Sequence, residues 1–170
     1  PRIEYCTTLE PAGKHYRIRA VFPATLTDGQ TRHEIPFGIQ NRGPHEHVAQ
    51  RWIDHATPRV GIALLNRGIP GNSVHDGTLF LSLFRSAAME YKTASEASFN
   101  EGIPHRFDYA VVPHGPDATL QIIREAHAFT SPPIRTLVTG DALSRTEWGL
   151  EPANVVLSGL RQTDLGTFIR

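Results

Sequence analysis

The sequence of 170 residues contains a single cysteine, Cys6, so no disulfide can form within the chain. This favours a reduced compartment over a secreted scaffold, and with no signal-peptide pattern at the start it predicts a cytoplasmic location. An excess of charge of one sign is also lacking, because 17 basic residues balance 17 acidic ones. Neither nucleic acid nor an anionic membrane surface is therefore an expected partner. No apolar run approaches the roughly 20 residues of a membrane-spanning helix.

An initial methionine is lacking too, which leads us to expect a piece of a longer protein. Its length suffices for one domain with its own core, and we predict a single domain over residues 1–170. Two apolar runs, residues 60–65 and 79–84, are each about as long as one strand. The segment between them is rich in Gly, Pro, Asn and Asp, so we expect an irregular turn and a central hairpin there. Because nearly every residue of both runs is apolar, we expect both faces of these strands to be covered.

The remaining segments are mostly short strands separated by turn residues. Residues 119–129 have helical spacing, with Asp117 or Thr119 as the expected cap, and residues 87–104 are expected to form a surface loop. Pro36 and Gly38 indicate that residues 32–39 form an edge strand or a bulge. Further strands are predicted at 15–22, 48–53, 105–113, 137–139, 154–160 and 167–169. This pattern is typical of a mostly β fold, an antiparallel sandwich or barrel with one short helix.

A metal site is the first chemical hypothesis. His45 and His47 stand at positions i and i+2, so on a strand their side chains would point the same way and could share a metal ion, as in a cupin-like metalloprotein. That hypothesis needs a nearby carboxylate, but the next one is Asp54. The alternative is a polar loop before a strand.

The sequence gives only weak support for other kinds of catalytic site. No spacing singles out a pair of carboxylates, and the sequence contains neither a phosphate-binding glycine loop nor a nucleophile elbow. His105 and His114 are expected at strand ends, where packing and a backbone hydrogen bond are their usual roles. Nothing near Cys6 marks it as a nucleophile.

Six ordered sequence segments resemble a known family. HEIPFG at 33–38 and QRWID at 50–54 are followed by GIALLN at 61–66 and SLFRS at 82–86, by FDYAVVPH at 107–114, and by PANVVLS at 152–158. In this order they are similar to the C-terminal β-sandwich region of the family-38 glycoside hydrolases, the α-mannosidases. The resemblance implies a supersandwich-like antiparallel β-sandwich and a C-terminal fragment of a longer enzyme.

What the resemblance implies about function is limited by what the chain contains. The family's aspartate nucleophile and zinc ion belong to an N-terminal catalytic domain, so no catalytic residue and no zinc ligand is carried over to this chain. The expected partner is that missing catalytic domain, and the expected substrate of the parent enzyme is an α-mannoside. We therefore expect a non-catalytic domain that packs on the catalytic domain and contributes to the wall of the sugar-binding cleft.

Four residues are candidates for contact with a sugar. Asn66, Arg67 and Arg85 provide planar hydrogen-bonding groups, and Trp52 provides an aromatic face. Each has a structural alternative: Asn66 bonds its own turn, the arginines pair with carboxylates, and Trp52 fills the core. Arg67 also departs from the family pattern, which commonly has an acidic residue there.

Three hypotheses follow from the sequence. The first is the non-catalytic α-mannosidase domain, which we favour. The second is a self-sufficient carbohydrate-binding module, which would bind sugar without a catalytic domain. The third is the metalloprotein built on His45 and His47, which would retain a metal ion on purification.

Overall fold

A computed structural model describes residues 1–13, 15–86, 102–132 and 150–170, which contain twelve β-strands and one α-helix. In chain order the elements are β1 (Ile3–Leu9), β2 (Arg17–Pro23), β3 (Gln30–Ile35), β4 (Gly38–Asn41), β5 (His47–Val48), β6 (Trp52–Ala56), β7 (Gly61–Asn66), β8 (Gly71–His75), β9 (Thr78–Arg85), β10 (His105–His114), α1 (Thr119–Thr130), β11 (Leu160–Thr163) and β12 (Gly166–Ile169).

Ten of the strands form two antiparallel sheets. The larger has the spatial order β1-β10-β7-β6-β3-β4 and the smaller has the order β2-β9-β8-β5, while β11 and β12 pair only with each other in the described residues. The sheets pack face to face, because apolar side chains of β7 and β10 share a buried cluster with those of β8 and β9. The predicted mostly β, antiparallel sandwich with one short helix is confirmed.

A second buried cluster lies on the outer face of the six-stranded sheet, where α1 packs. Ile122, Ala126 and Phe129 of the helix meet Ala63 and Leu65 of β7. Leu64 points the other way, into the cluster between the sheets. Successive side chains of a strand alternate between faces, so β7 is apolar from Gly61 to Leu65 because both of its faces are covered.

The predicted central hairpin is wrong. β7 lies in the six-stranded sheet and β9 in the four-stranded sheet, so the segment between them crosses from one sheet to the other. That segment also contains β8, the true hairpin partner of β9. The turn is Asp76-Gly77, with φ of 47° and 70°, and positive φ at both positions defines the turn whose twist matches that of paired strands. Burial alternates along β9, so one of its faces is buried and the other is only half-buried.

Two other predicted strands are each divided. Residues 32–39 form a hairpin in which Ile35 pairs with Gly38, leaving Pro36 and Phe37 as a two-residue turn. β4 is an edge of its sheet, as the proline and glycine of this segment indicate. Residues 48–53 are shared between β5 and β6, which lie in different sheets.

The strands predicted at 15–22, 105–113 and 167–169 and the helix at 119–129 are confirmed, with ends that differ by no more than two residues. The cap is wrong: Ala118 is the N-cap and has no side-chain cap bond. Thr119 instead accepts a hydrogen bond from Nη1 of Arg32 at 2.8 Å. The strand predicted at 154–160 is also wrong, because β11 begins only at Leu160. Most of the loop predicted at 87–104 and the strand at 137–139 lie outside the described residues.

In the described part of the chain, no helix has the length and apolar character needed to cross a membrane.

Candidate functional site

Three of the four predicted sugar-facing residues lie together at one end of the six-stranded sheet. The backbone N–H of Asn66 donates to the carbonyl oxygen of Arg51 at 2.8 Å, which places the end of β7 beside the start of β6. Trp52 is fully buried in the cluster against α1, and Asn66 is 2% exposed, with its Oδ1 accepting from the backbone N–H of Ile69 at 3.0 Å. Burial favours the structural interpretation of both side chains, and their contact with a sugar stays a prediction.

Arg67 closes the C-terminal end of α1. Its Nη2 donates to the carbonyl oxygen of Phe129, and its guanidinium lies 4.5 Å from the centroid of the Phe129 ring. A cation at this end of a helix satisfies a free carbonyl and meets the negative end of the helix dipole. Nη1 also lies 3.3 Å from Oδ2 of Asp108. These contacts account for Arg67 structurally, and its sugar contact remains a prediction.

Arg85 lies apart from the other three, at the end of β9 in the smaller sheet. It pairs in register with Arg17, whose pKa is lowered by burial and by the charges of Arg19 and Arg85. Arg17 is compensated by an ion pair with Glu46. None of the described contacts joins Arg85 to the other three predicted residues, so a single site containing all four is not supported by this geometry.

Beside Asn66 and Arg67 the structure assembles a group that we name the Arg51 cluster, consisting of Glu34, Arg51 and His127. The Glu34 carboxylate is 7% exposed and accepts from both the backbone N–H of Arg51, at 2.9 Å, and its guanidinium. Nη1 of Arg51 lies 2.9 Å from both ring nitrogens of His127. Burial and the adjacent guanidinium lower the pKa of His127, so the ring is neutral at pH 7. The cluster therefore combines one anion, one cation and a neutral ring, with no net charge.

A cleft of about 570 Å³, which we name the hairpin cleft, opens beside this cluster. The β3–β4 hairpin forms one wall of the cleft, and the start of β6 forms its floor. The opposite wall consists of α1 and of the residues on either side of the β11–β12 hairpin. The lining residues are Glu34, Ile35, Pro36, Phe37, Gly38, Ile39, Gln50, Arg51, Trp52, Ile123, His127, Val156, Ser158 and Arg170. A volume of this size lies within the roughly 300–1,000 Å³ of small-molecule sites.

Phe37 lies at the rim of the hairpin cleft with an exposed ring and a positive φ. Its side chain is 94% exposed, and its φ of 63° lies in the left-handed region, which a bulky residue rarely adopts. Phe37 therefore combines an exposed aromatic ring with a strained backbone conformation. Such outliers concentrate at functional sites. The Arg170 guanidinium lies 5.6 Å from the ring centroid.

A separate buried network surrounds Asp54, which has no exposed surface. Its Oδ2 accepts from Nε of Arg32 at 3.0 Å, and its Oδ1 lies 2.8 Å from Nε2 of His114. Nδ1 of His114 faces the carbonyl oxygen of Gly115 at 2.7 Å, so both ring nitrogens face acceptors. Since Arg32 also bonds Thr119, the network ties β3, β6 and β10 to the start of α1.

The structure gives the metal hypothesis no third ligand. Within residues 1–13, 15–86, 102–132 and 150–170, no group of three or more His, Cys, Asp or Glu side chains is placed to hold a metal ion. His45 is exposed, whereas the ring of His47 packs at 5.2 Å, centroid to centroid, against the buried ring of His33. His33 Nε2 pairs with Oδ1 of Asn72 at 2.9 Å.

His33 predicts a loss of stability in acid. Burial is the main cause that lowers its pKa from 6.5 to about 4, since the ring is 1% exposed and Nδ1 has no hydrogen-bond partner among the described residues. The unfolded chain therefore binds the proton first, and the free energy of unfolding falls as pH drops from about 6.5 towards 4. We expect His33 to account for a loss of about 2 kcal/mol between pH 7.5 and 5.

Urea unfolding of the wild-type chain and of His33→Leu at these two pH values measures this contribution. The other histidines are present in both proteins, so the difference between the pH dependences of the two proteins isolates the contribution of His33. An equal pH dependence in both would contradict the prediction.

The residues that sequence reasoning missed are those of the Arg51 cluster and Asp54. Glu34, Arg51 and Asp54 belong to the segments that resemble the family, but none was singled out as a site residue. A signal was available: Asp54 lies between apolar residues in a strand, where a charged side chain is buried only with partners. His127 gave no comparable signal, because it fits the helical spacing of α1 equally well as a packing residue.

The two-sheet arrangement occurs in a solved structure described as the crystal structure of an alpha-mannosidase from Enterococcus faecalis V583. The likeness has a TM-score of 0.70 at 17% identity and covers 77% of this chain and 16% of that chain. At this identity it shows the fold alone, and it defines the present chain as a β-sandwich of the type found in that longer protein.

Residues 1–93, more than half of the chain, match the family described as glycosyl hydrolases family 38 C-terminal domain. The chain belongs to this family, which confirms the resemblance of its sequence blocks. Among its relatives are the proteins named Alpha-mannosidase 2C1 of Mus musculus, 28% identical over 177 residues, and of Homo sapiens, 28% identical over 179 residues. Each match covers 96% of this chain and 16% of the relative, so the chain spans about one sixth of their length.

Proposed function

We propose that this chain is the non-catalytic β-sandwich domain of an α-mannosidase, which packs on the catalytic domain of the same polypeptide and shapes its sugar-binding cleft. The observation that carries the proposal is the match of 96% of the chain to only 16% of relatives named alpha-mannosidases. In this proposal the nucleophile and the zinc ion belong to the catalytic domain, and the substrate is an α-mannoside. The cytoplasmic location stays a prediction.

The β11–β12 hairpin supports a packing role. Nearly all of its residues are exposed, and they include Leu160, Leu165, Phe168 and Ile169, each more than half exposed. A two-stranded hairpin is only marginally stable in water unless it packs on something else. Exposed apolar side chains grouped on one element are typical of a contact surface. We assign the catalytic domain as the occupant because the relatives are about six times longer than this chain.

Hydrolysis of p-nitrophenyl α-mannopyranoside tests the proposal directly. We expect the full-length polypeptide that carries this sequence to hydrolyse it and the 170-residue chain to be inactive. In the full-length polypeptide, Phe168→Asp should lower both the melting temperature and the activity, because it places a charge in the packed surface. Val48→Asp, the same kind of change at an exposed apolar residue (64%) of the edge strand β5, outside the hairpin, is the matched control and should have little effect. Activity of the chain alone would contradict the non-catalytic role, and inactivity of the folded full-length polypeptide would contradict the enzyme class.

A further inference from the structure

We propose that the hairpin cleft binds one neutral pyranose ring, with the exposed Phe37 ring as its stacking surface. The choice of a sugar as the ligand rests on the proposed function, whereas the position of the site rests on the structure. The cleft is distinct from the packing surface of the β11–β12 hairpin and from the predicted positions Asn66, Arg67 and Arg85, none of which lines it.

The aromatic component is Phe37. A pyranose ring presents a face of C–H groups, and an exposed aromatic face is the surface on which such groups pack. The two-residue turn holds the ring at the rim because β3 and β4 pair up to Ile35 and Gly38 on either side of it. The ring therefore projects from a rigid hairpin instead of a long loop, which lowers the conformational entropy lost on binding.

The polar component is the Arg51 cluster with Gln50. Sugar hydroxyl groups both donate and accept, so they require donors and acceptors side by side, and the cluster provides a carboxylate, a guanidinium and a neutral imidazole within hydrogen-bonding distance of one another. The Arg51 side chain keeps 29% of its surface exposed. Gln50 is exposed at the lining and adds an amide. Because the carboxylate and the guanidinium compensate each other, the cluster adds no net charge and suits a neutral ligand. The remaining charged side chain of the lining, Arg170, lies against the Phe37 ring.

The residue at the floor of the cleft has a buried donor without a partner among the described residues. The indole Nε1 of Trp52 is buried and has no acceptor among the described residues, although Trp52 lines the cleft. Buried donors without acceptors are rare in folded proteins and call for a specific explanation.

A protein partner would be the competing occupant, since an exposed Phe is also a common anchor in interfaces. The core of a protein interface, however, is depleted of charged residues. The hairpin cleft has a buried carboxylate and a guanidinium beside its floor, with polar groups that converge on a concave surface. This combination is typical of small-molecule sites, which have apolar walls and a few well-placed polar groups.

An amide NMR titration of the 170-residue chain with methyl α-D-mannopyranoside tests the inference. We expect saturable shifts at Gly38, Gln50 and Arg51. Phe37→Ala should weaken the affinity roughly tenfold, which corresponds to the loss of one aromatic contact. Leu165→Ala is the matched control, because Leu165 is a similarly exposed apolar residue (91%) at the tip of the other hairpin, and it should leave the affinity unchanged.

Two further variants test the stacking contact and the polar contact separately. Phe37→Trp keeps an aromatic face and should bind at least as well as the wild type. Gln50→Ala should weaken binding severalfold, whereas its control Gln121→Ala, at an exposed glutamine of α1 outside the cleft, should not. No shifts at saturating mannoside, or shifts that Phe37→Ala leaves unchanged, would overturn the inference.

If the wild-type chain binds no mannoside and Phe37→Ala instead lowers the melting temperature of the full-length polypeptide, Phe37 is an anchor between domains and the sugar site is wrong. The titration reads binding by this chain itself, whereas the hydrolysis assay reads the activity of the whole polypeptide. Failure of either inference is therefore distinguishable from failure of the other.

Discussion

Asp54→Ala is expected to lower the free energy of unfolding by about 3–5 kcal/mol, the range for breaking a buried ion pair. Asp54 has no exposed surface and is the shared partner of Arg32 and His114. Its removal leaves the Arg32 guanidinium without its counter-charge and the largely buried His114 without a hydrogen-bond partner, and unpaired buried polar groups are costly. Since small domains have a net stability of about 5–15 kcal/mol, this one change would remove a large part of it.

Urea unfolding at pH 7 measures the effect, with Asp108→Ala as the matched control. Asp108 also pairs with two cations, Arg67 and Arg106, but its side chain keeps 19% of its surface exposed and Arg106 is 69% exposed. Solvent screens such pairs, so we expect a loss of no more than about 1 kcal/mol. If Asp54→Ala cost no more than this control, the buried network would not be the stabilising element that its geometry indicates.

The same variant should loosen the start of α1. Arg32 bonds both the Asp54 carboxylate and the Thr119 hydroxyl, and the N-cap position Ala118 supplies no side-chain cap bond. The Arg32 side chain thus links the helix N-terminus to the sheet. Amide hydrogen exchange in the first turn of α1 should accelerate in Asp54→Ala more than it does in β7, whose hydrogen bonds lie between two covered faces.

Local sequence patterns predict the strands and the helix in which the order of apolar and polar residues matches the order of buried and exposed positions. Residues 105–113 alternate because β10 has one face in each buried cluster, and α1 has one apolar stripe that packs on the sheet. The assignment of β7 and β9 to different sheets could not be read in this way, because sheet membership depends on contacts between distant segments. The Asp76-Gly77 dipeptide was the available clue, since it is a strong signal for a two-residue hairpin turn and locates the hairpin between β8 and β9.

The residues of the candidate site likewise depend partly on local sequence and partly on contacts between distant segments. Asn66 and Arg67 were chosen from a resemblance, and their neighbour Arg51 becomes visible only through the pairing of β6 with β7. His127 is 76 residues away from Arg51 in the sequence and reaches it only because α1 folds back over the six-stranded sheet. Phe37 belongs to the HEIPFG segment, but its exposure depends on Pro36-Phe37 forming a two-residue turn, whereas the sequence indicates an edge strand or a bulge.

Trp52→Ala is expected to cost about 3–5 kcal/mol in the free energy of unfolding, the range for truncating a buried aromatic residue. Trp52 is fully buried and packs with α1 residues and with Ala63 and Leu65 of β7, so truncation leaves a cavity in the outer cluster. The loss should appear as a lower urea midpoint with little change in the denaturant slope. Val48→Ala, on the edge strand β5 and 64% exposed, should stay within about 0.5 kcal/mol of the wild type.

Trp52→Phe separates packing from hydrogen bonding at the same position. It keeps most of the buried aromatic area and removes the indole N–H, which has no acceptor among the described residues. Loss of an unpaired buried donor offsets part of the packing cost, so we expect a net loss below about 1.5 kcal/mol. A loss as large as that of Trp52→Ala would mean that the indole N–H is hydrogen-bonded in the folded protein. The donor would then be part of what stabilises the floor of the hairpin cleft.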